Sequence, residues 1–171
     1  MTTYAVRDLT PADLADIATW AYDGPWSVYD SAGELDPSTG YWAVTEGARL
    51  VGFLCLGAEA RVPGLAEAED LLDVGVGMRP DLVGRGRGAG FAEAALDFAV
   101  RRAGRARALR VVVQSWNARS LRLVRGLGFT ATGDHPVGAV TFVVLERPVD
   151  AAAGRSSAVS EPDSSPAAAT V

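Results

Sequence analysis

A chain of 171 residues has room for one ordinary domain, and with 49% hydrophobic residues it can bury a core. A formal net charge of -5 argues against a nucleic-acid binder that neutralises phosphates, and no run approaches the about 20 apolar residues of a membrane helix. The start, Met1 to Arg7, lacks the basic-then-apolar order of a secretory signal, and the lone Cys55 allows no internal disulfide, so a cytoplasmic setting is expected.

Tyr4 to Leu9 alternates as a strand does. Thr10-Pro11-Ala12-Asp13 opens a helix: Thr10 can accept from the backbone three residues on, and Pro11 suits the first helical position. Leu14, Ile17 and Ala18 give that helix an apolar face. Tyr22 to Asp36 is irregular and aromatic, with Trp20 expected to pack the first helix on the sheet. Tyr41 to Thr45 and Arg49 to Ala58 read as a hairpin around Glu46-Gly47. Asp70 to Met78 reads as a strand whose Gly75 and Gly77 suggest a bulge or a close backbone approach.

Pro80 ends that strand, and a glycine run leads into a helix from Ala89 to Arg102, with Phe91, Ala94, Ala95, Phe98 and Ala99 on one face. Leu109 to Val113 reads as a short apolar strand buried on both faces. Asn117 can cap a helix reaching Gly126. Two strands follow, from Gly128 and over Val140 to Leu145, with His135 in their connection. The fold class expected is a mixed α/β sheet with a helical crossover after the fourth strand. After Val149 the chain turns to Ala, Ser, Pro and acidic residues, so residues 1–149 are expected to form the domain and 150–171 a disordered tail.

Strand, glycines and helix N-terminus together make an anion site. The free N–H groups of the first helical turn point outward, and glycine lets a phosphate approach the backbone. Gly84-Arg85-Gly86-Arg87-Gly88 fits that description, and both arginines add positive charge. All sixteen basic residues are arginine, so the lysine of a P-loop is missing. The loose dinucleotide pattern Gly84-Arg85-Gly86-Arg87-Gly88-Ala89 wants a carboxylate at the end of the next strand, and Val113-Gln114-Ser115 offers none.

Met78-Arg79-Pro80, the run through Gly88, then Trp116-Asn117-Ala118-Arg119-Ser120 and Gly126-Leu127-Gly128-Phe129 together resemble the cofactor motifs of the GNAT-superfamily N-acetyltransferases. The resemblance spans residues 3–147 and looks closest to a bacterial branch. It implies a mostly antiparallel sheet of six or seven strands, a splayed fourth and fifth pair, and about four helices. It implies acetyl-CoA as co-substrate, no metal, and acetyl transfer to a primary amine by direct attack. The partner is then a small-molecule or peptide amine, and a homodimer is possible.

Carried over residue by residue, the resemblance gives Val76, Gly77 and Met78 backbone bonds to the pantetheine arm. Val83, Gly84, Arg85, Gly86, Arg87, Gly88 and Ala89 hold the pyrophosphate, and Asn117 approaches the thioester. Two positions depart from the family. Val83 stands where a glutamine or arginine is usual, leaving only its backbone. Val124 replaces the usual tyrosine acid, and this keeps open a non-catalytic acyl-CoA-binding domain. Asp73 is the candidate base, with a structural carboxylate as the alternative. Tyr22, Trp26, Tyr29 and Asp30 are candidates for the acceptor wall, with Asp23 and Glu34 adding negative charge. Cys55 is expected to be a buried core residue.

Overall fold

The computed structural model describes residues 2–30 and 35–150. Glu34 and the expected tail after Asp150 lie outside the described residues. The chain begins with β1 (Tyr4–Asp8) and α1 (Pro11–Ile17). Thr10 caps α1: its hydroxyl accepts from the Asp13 N–H at 3.2 Å, and the Asp13 carboxylate accepts from the Thr10 N–H at 2.8 Å. The same buried carboxylate accepts from two Arg7 guanidinium nitrogens, at 2.6 and 3.0 Å, and so ties β1 to α1.

A 3-10 turn over Gly24–Tyr29 organises the aromatic segment. The hairpin β2 (Tyr41–Glu46) and β3 (Arg49–Leu56) turns at Gly47, whose φ of 58° suits glycine. Then come β4 (Leu71–Met78), α2 (Gly88–Arg102), β5 (Ala108–Gln114), α3 (Ala118–Gly126), β6 (Thr130–Val137) and β7 (Val140–Pro148). The seven strands form one sheet in the order β1-β2-β3-β4-β5-β7-β6. All neighbours are antiparallel except β4 and β5, because α2 carries the chain across one face between them.

Neighbouring residues of a strand divide between two cores. Val44 and Leu54 face a cluster with Val74, Leu109 and Leu145, covered by Phe91, Ala95, Leu96, Phe98 and Ala99 of α2. Ala43 and Phe53 face the other way, against Leu9, Ile17, Trp20 and Leu50. Trp20 stacks on Phe53 with ring centres 6.2 Å apart, in its expected packing role. Among the described residues no helix is long and apolar enough to cross a membrane.

The parallel β4–β5 ladder joins only Leu71 to Ala108, Leu72 to Leu109 and Asp73 to Arg110. Beyond it the strands part, although β4 runs on to Met78 and β5 to Gln114. Each stays paired on its outer side, β4 to β3 and β5 to β7, so the sheet opens as a wedge. This is the splayed pair that the family resemblance implies.

Three local readings change. The β3–β4 register is regular through Gly75 and Gly77, so there is no bulge. Those glycines leave room for cross-strand side chains: a Cβ on Gly75 would lie 2.8 Å from Cys55 Sγ, and one on Gly77 would enter the Phe53 ring. The Leu109 to Val113 run is not wholly apolar, since Arg110 is buried within it. His135 lies inside β6, opposite Phe142, and bonds the Pro63 carbonyl at 2.9 Å; the turn comes later, at Gly138.

Hydrogen bonding from the Arg7 guanidinium holds the Asp13 carboxyl down to about 2 from its ordinary 3.8, more strongly than burial raises it. A carboxyl lowered on folding stabilises the fold above its unfolded pKa and loses that effect as pH falls. Asp13→Asn is expected to lose roughly 2 kcal/mol at neutral pH, and its gap to wild type to close between about pH 4 and pH 2 in urea titrations.

Candidate active site

The wedge exposes one edge of β4. Alternate residues of an antiparallel strand turn both backbone groups to the same neighbour. Arg79 N–H donates to the Val51 carbonyl at 2.9 Å, so Arg79, and with it Gly77 and Gly75, faces β3. Arg107 N–H donates to the Asp70 carbonyl at 2.8 Å, so Asp70 faces β5, as do the residues in step with it: Val74, Val76 and Met78. Past Asp73 those three meet no β5 ladder. Of the three backbone positions carried over from the family, Val76 and Met78 therefore open into the wedge and Gly77 turns away. The Val76 side chain is 46% exposed.

The glycine loop stands at the end of this edge. A short 3-10 turn over Pro80–Leu82 leads into it. Gly84 and Gly86 have φ of 78° and 74°, where a Cβ is disfavoured. Arg87 occupies the N-cap of α2 and its carbonyl accepts from Phe91 N–H at 3.2 Å, leaving the N–H groups of Gly88, Ala89 and Gly90 without helical partners. Gly88 also admits α3: a Cβ there would sit 3.4 Å from Leu123.

Charge around the loop is not distributed as its sequence suggests. Arg87 is paired with Glu46, at 2.8 and 3.3 Å, while Arg85 is exposed. A third cation comes from α3. Arg119 Nη2 would lie 3.9 Å from a Cβ on Gly84, and its guanidinium sits 4.6 Å from the Trp26 ring centre. In the sequence Arg119 stands only as one residue of the Trp116 to Ser120 motif. Its place two residues after the Asn117 cap, on the first turn of α3, was the available signal.

An aromatic cluster frames the mouth of the wedge. Trp26 and Tyr29 both pack on Trp116, with centres 6.0 and 6.4 Å apart, and Tyr29 meets Tyr22 edge-on at 6.3 Å. The Tyr22 hydroxyl donates to the Met78 carbonyl at 2.8 Å, on the β4 arm. Asn117 Nδ2 donates to the Tyr29 hydroxyl at 3.2 Å, just past the β5 arm. Asn117 Oδ1 accepts from Ser120 N–H at 3.1 Å, so the expected helix cap also reaches the aromatic segment. Asp30 accepts from the Tyr22 N–H at 2.6 Å. Among the described residues the buried Trp26 indole N–H meets no partner. Trp116 is 40% exposed and belongs to the wall, which the aromatic segment alone did not predict.

Burial pushes the Tyr22 hydroxyl up to about 12, and the Asp30 charge acts the same way. Burial raises Tyr29 as well, partly opposed by its bond from Asn117. Both therefore keep their protons at neutral pH. Val124, at the position of the family's usual tyrosine, packs against the main core. Cys55 is buried, and its thiol is pushed up to about 12 chiefly by burial, consistent with a core residue.

Asp73 sits at the closed end of the wedge and is 3% exposed. Arg110 Nε and Nη2 donate to it at 2.6 and 3.1 Å, and Arg61 Nη1 at 3.2 Å. Arg110 also donates to the Ala66 carbonyl at 2.8 Å. A carboxylate with both oxygens held by guanidinium groups and no open surface is placed as the structural partner of a buried cation. Both oxygens of the candidate base are therefore engaged by guanidinium groups.

Residues 5–129 match the model of the acetyltransferase (GNAT) family, and the chain belongs to that family. Among solved structures, the putative acetyltransferase yncA of Salmonella typhimurium, with acetyl-CoA, is 20% identical at a TM-score of 0.59, over 86% of this chain and 94% of that one. The aminoglycoside acetyltransferase AAC(6')-Ib in complex with coenzyme A is 14% identical at a TM-score of 0.70, over 91% and 99%. A chimera of the spermidine N-acetyltransferase SpeG of Vibrio cholerae and hSSAT is 15% identical at a TM-score of 0.63, over 88% and 98%. At these identities the likeness shows the fold. No curated protein sequence matches the chain.

Removing one partner of a buried ion pair leaves the other charge uncompensated. Asp73→Asn is expected to lower the unfolding free energy by about 3–5 kcal/mol, and Asp73→Leu combined with Arg110→Met to recover most of that loss. Urea titrations of the three chains check both statements.

Proposed function

We propose that the chain moves an acetyl group from acetyl-CoA to a primary amine by direct attack in a ternary complex. The wedge carries this reading. A pantetheine arm is an extended chain with two amides, and it can pair with the Val76 and Met78 edge where the β5 ladder is missing. The pyrophosphate then falls on the loop and the first-turn N–H groups of α2, where the helix dipole favours an anion. Arg85 and Arg119 add charge there, whereas Arg87 is already balanced by Glu46. Val83 takes part only through its backbone.

The acceptor enters on the aromatic side. Tyr22, Trp26, Tyr29 and Trp116, with Asp23 and Asp30 exposed beside them, suit an amine that arrives as a cation. Relatives named for aminoglycosides and spermidine act on amines, which supports the same acceptor class. With Asp73 bound to two arginines, the amine proton leaves through solvent at the open mouth. A second reading, an acyl-CoA-binding domain without turnover, draws on the aliphatic Val124.

Incubation with acetyl-CoA and a panel of polyamines, aminoglycosides and peptide amines is expected to release free thiol. Tight acetyl-CoA binding by calorimetry without release across the panel would instead favour the second reading. Gly84→Ala and Gly86→Ala each place a Cβ at positive φ, at about 1–2 kcal/mol. Each is expected to weaken acetyl-CoA binding roughly tenfold by calorimetry, and unchanged affinity would count against the loop as the phosphate site.

A further inference from the structure

We infer that the acceptor of this chain is a singly charged amine on an apolar, ring-sized body, and that Val112, Gln114 and Phe142 select it. This rests on the acetyl-transfer reading above and names the substrate class of that site.

The selection follows from the part of the sheet that neither core covers. Successive residues of a strand point to opposite faces, and cross-strand partners share one. Val111, Val113, Val143 and Leu145 pack in the core under α2. Val112, Gln114, Phe142 and Val144 therefore point the other way, to the face that carries α1. The register sets Val112 beside Val144 and Gln114 beside Phe142. Among the described residues the three apolar ones join neither core, and all four are only half-buried.

This floor is walled and adjoins the wedge. Arg110 Nη2 donates to the Ala66 carbonyl, and His135, opposite Phe142, bonds the Pro63 carbonyl, so residues 63–66 close one side. Trp116, with Trp26 and Tyr29 packed on it, closes the other. Val112 and Gln114 lie on β5 just past Arg110, its last register with β4. With the pyrophosphate on the glycine loop beyond Met78, the pantetheine arm runs inward along β4 and brings its thioester toward Val112. An amine reaches that carbon across the floor.

The floor has no match for a second positive charge. Among the described residues of β5, β6 and β7, Glu146 is the one carboxylate on this face, and Arg107 donates to it at 3.2 Å. Asp73 is held by Arg110 and Arg61. Gln114 Oε1 accepts from the Trp116 indole N–H at 2.5 Å, which leaves its amide N–H groups facing the site. A second ammonium here would lose water without gaining a partner, whereas an apolar ring would be covered. Asp23 and Asp30 flank the 3-10 turn of the aromatic segment and are not on this floor.

The test measures thiol release with saturating acetyl-CoA and 2-phenylethylamine, spermidine or kanamycin. Wild-type kcat/KM for 2-phenylethylamine is expected to exceed that for either other amine about tenfold or more. Phe142→Ala is expected to raise KM for 2-phenylethylamine about tenfold, with kcat and the calorimetric Kd for acetyl-CoA unchanged. Gln114→Glu adds a carboxylate that can still accept from Trp116, and is expected to shift the kcat/KM ratio about tenfold toward spermidine. Spermidine or kanamycin used as well as 2-phenylethylamine overturns the assignment, as does an unchanged ranking or an equal loss with all three amines in both variants. If the wild-type chain releases no thiol with any amine, the acetyl-transfer reading fails and this assignment with it. Release confined to amines of several charges overturns this assignment alone.

Discussion

The end of the β4–β5 ladder at Asp73 and Arg110 is the constraint on which the site depends. A strand in the middle of a sheet normally satisfies its backbone on both sides, and an unpaired edge there is costly unless something meets it. Here the edge from Val74 to Met78 is left open while β3 and β7 keep hold of the two halves. The buried ion pair closes the last register, with Arg61 and the Ala66 carbonyl completing its contacts. Beyond that register the edge meets no β5 ladder, and of its backbone groups the Met78 carbonyl already accepts from the Tyr22 hydroxyl.

The same opening explains why the segment after α1 folds over the sheet. Its 3-10 turn brings Tyr22 to the β4 arm and Tyr29 to the start of α3. Asn117 has two tasks at once, capping α3 and holding Tyr29. Arg119, on the first turn of α3, lies over Trp26 and beside Gly84. The wall on the acceptor side and the loop on the donor side are therefore joined through the first turn of one short helix. A change in that turn is felt at both.

Much of this was legible from residues close together in the chain. Thr10 and Asp13 announce their cap, since the partners are three residues apart. Glycine, strand and helix in succession announce the loop, because positive φ and free N–H groups are local properties. Two spaced motif blocks identified the family. The misreadings fall where distant partners decide. Gly75 and Gly77 looked like a bulge, but a Cβ at either would meet Cys55 or Phe53 of the neighbouring strand. Arg110 is a charged residue inside the Leu109 to Val113 run, and the partner that lets it be buried there, Asp73, is 37 residues away. His135 looked like a turn residue beside Pro136, yet the β6–β7 register carries both in the strand.

By itself, the sequence determined the order of elements, the helix cap, the left-handed glycines and the amphipathic face of α2, all set by steric and hydrogen-bonding preferences within a few residues. Only the tertiary structure decided that Arg119 joins the loop while Arg87 is balanced by Glu46. It also decided that Gly77 turns from the wedge and that Tyr29 meets Asn117 at its mouth. Those outcomes depend on which strands pair and where their pairing stops, and the contacts involved span tens of residues, beyond the reach of any local preference.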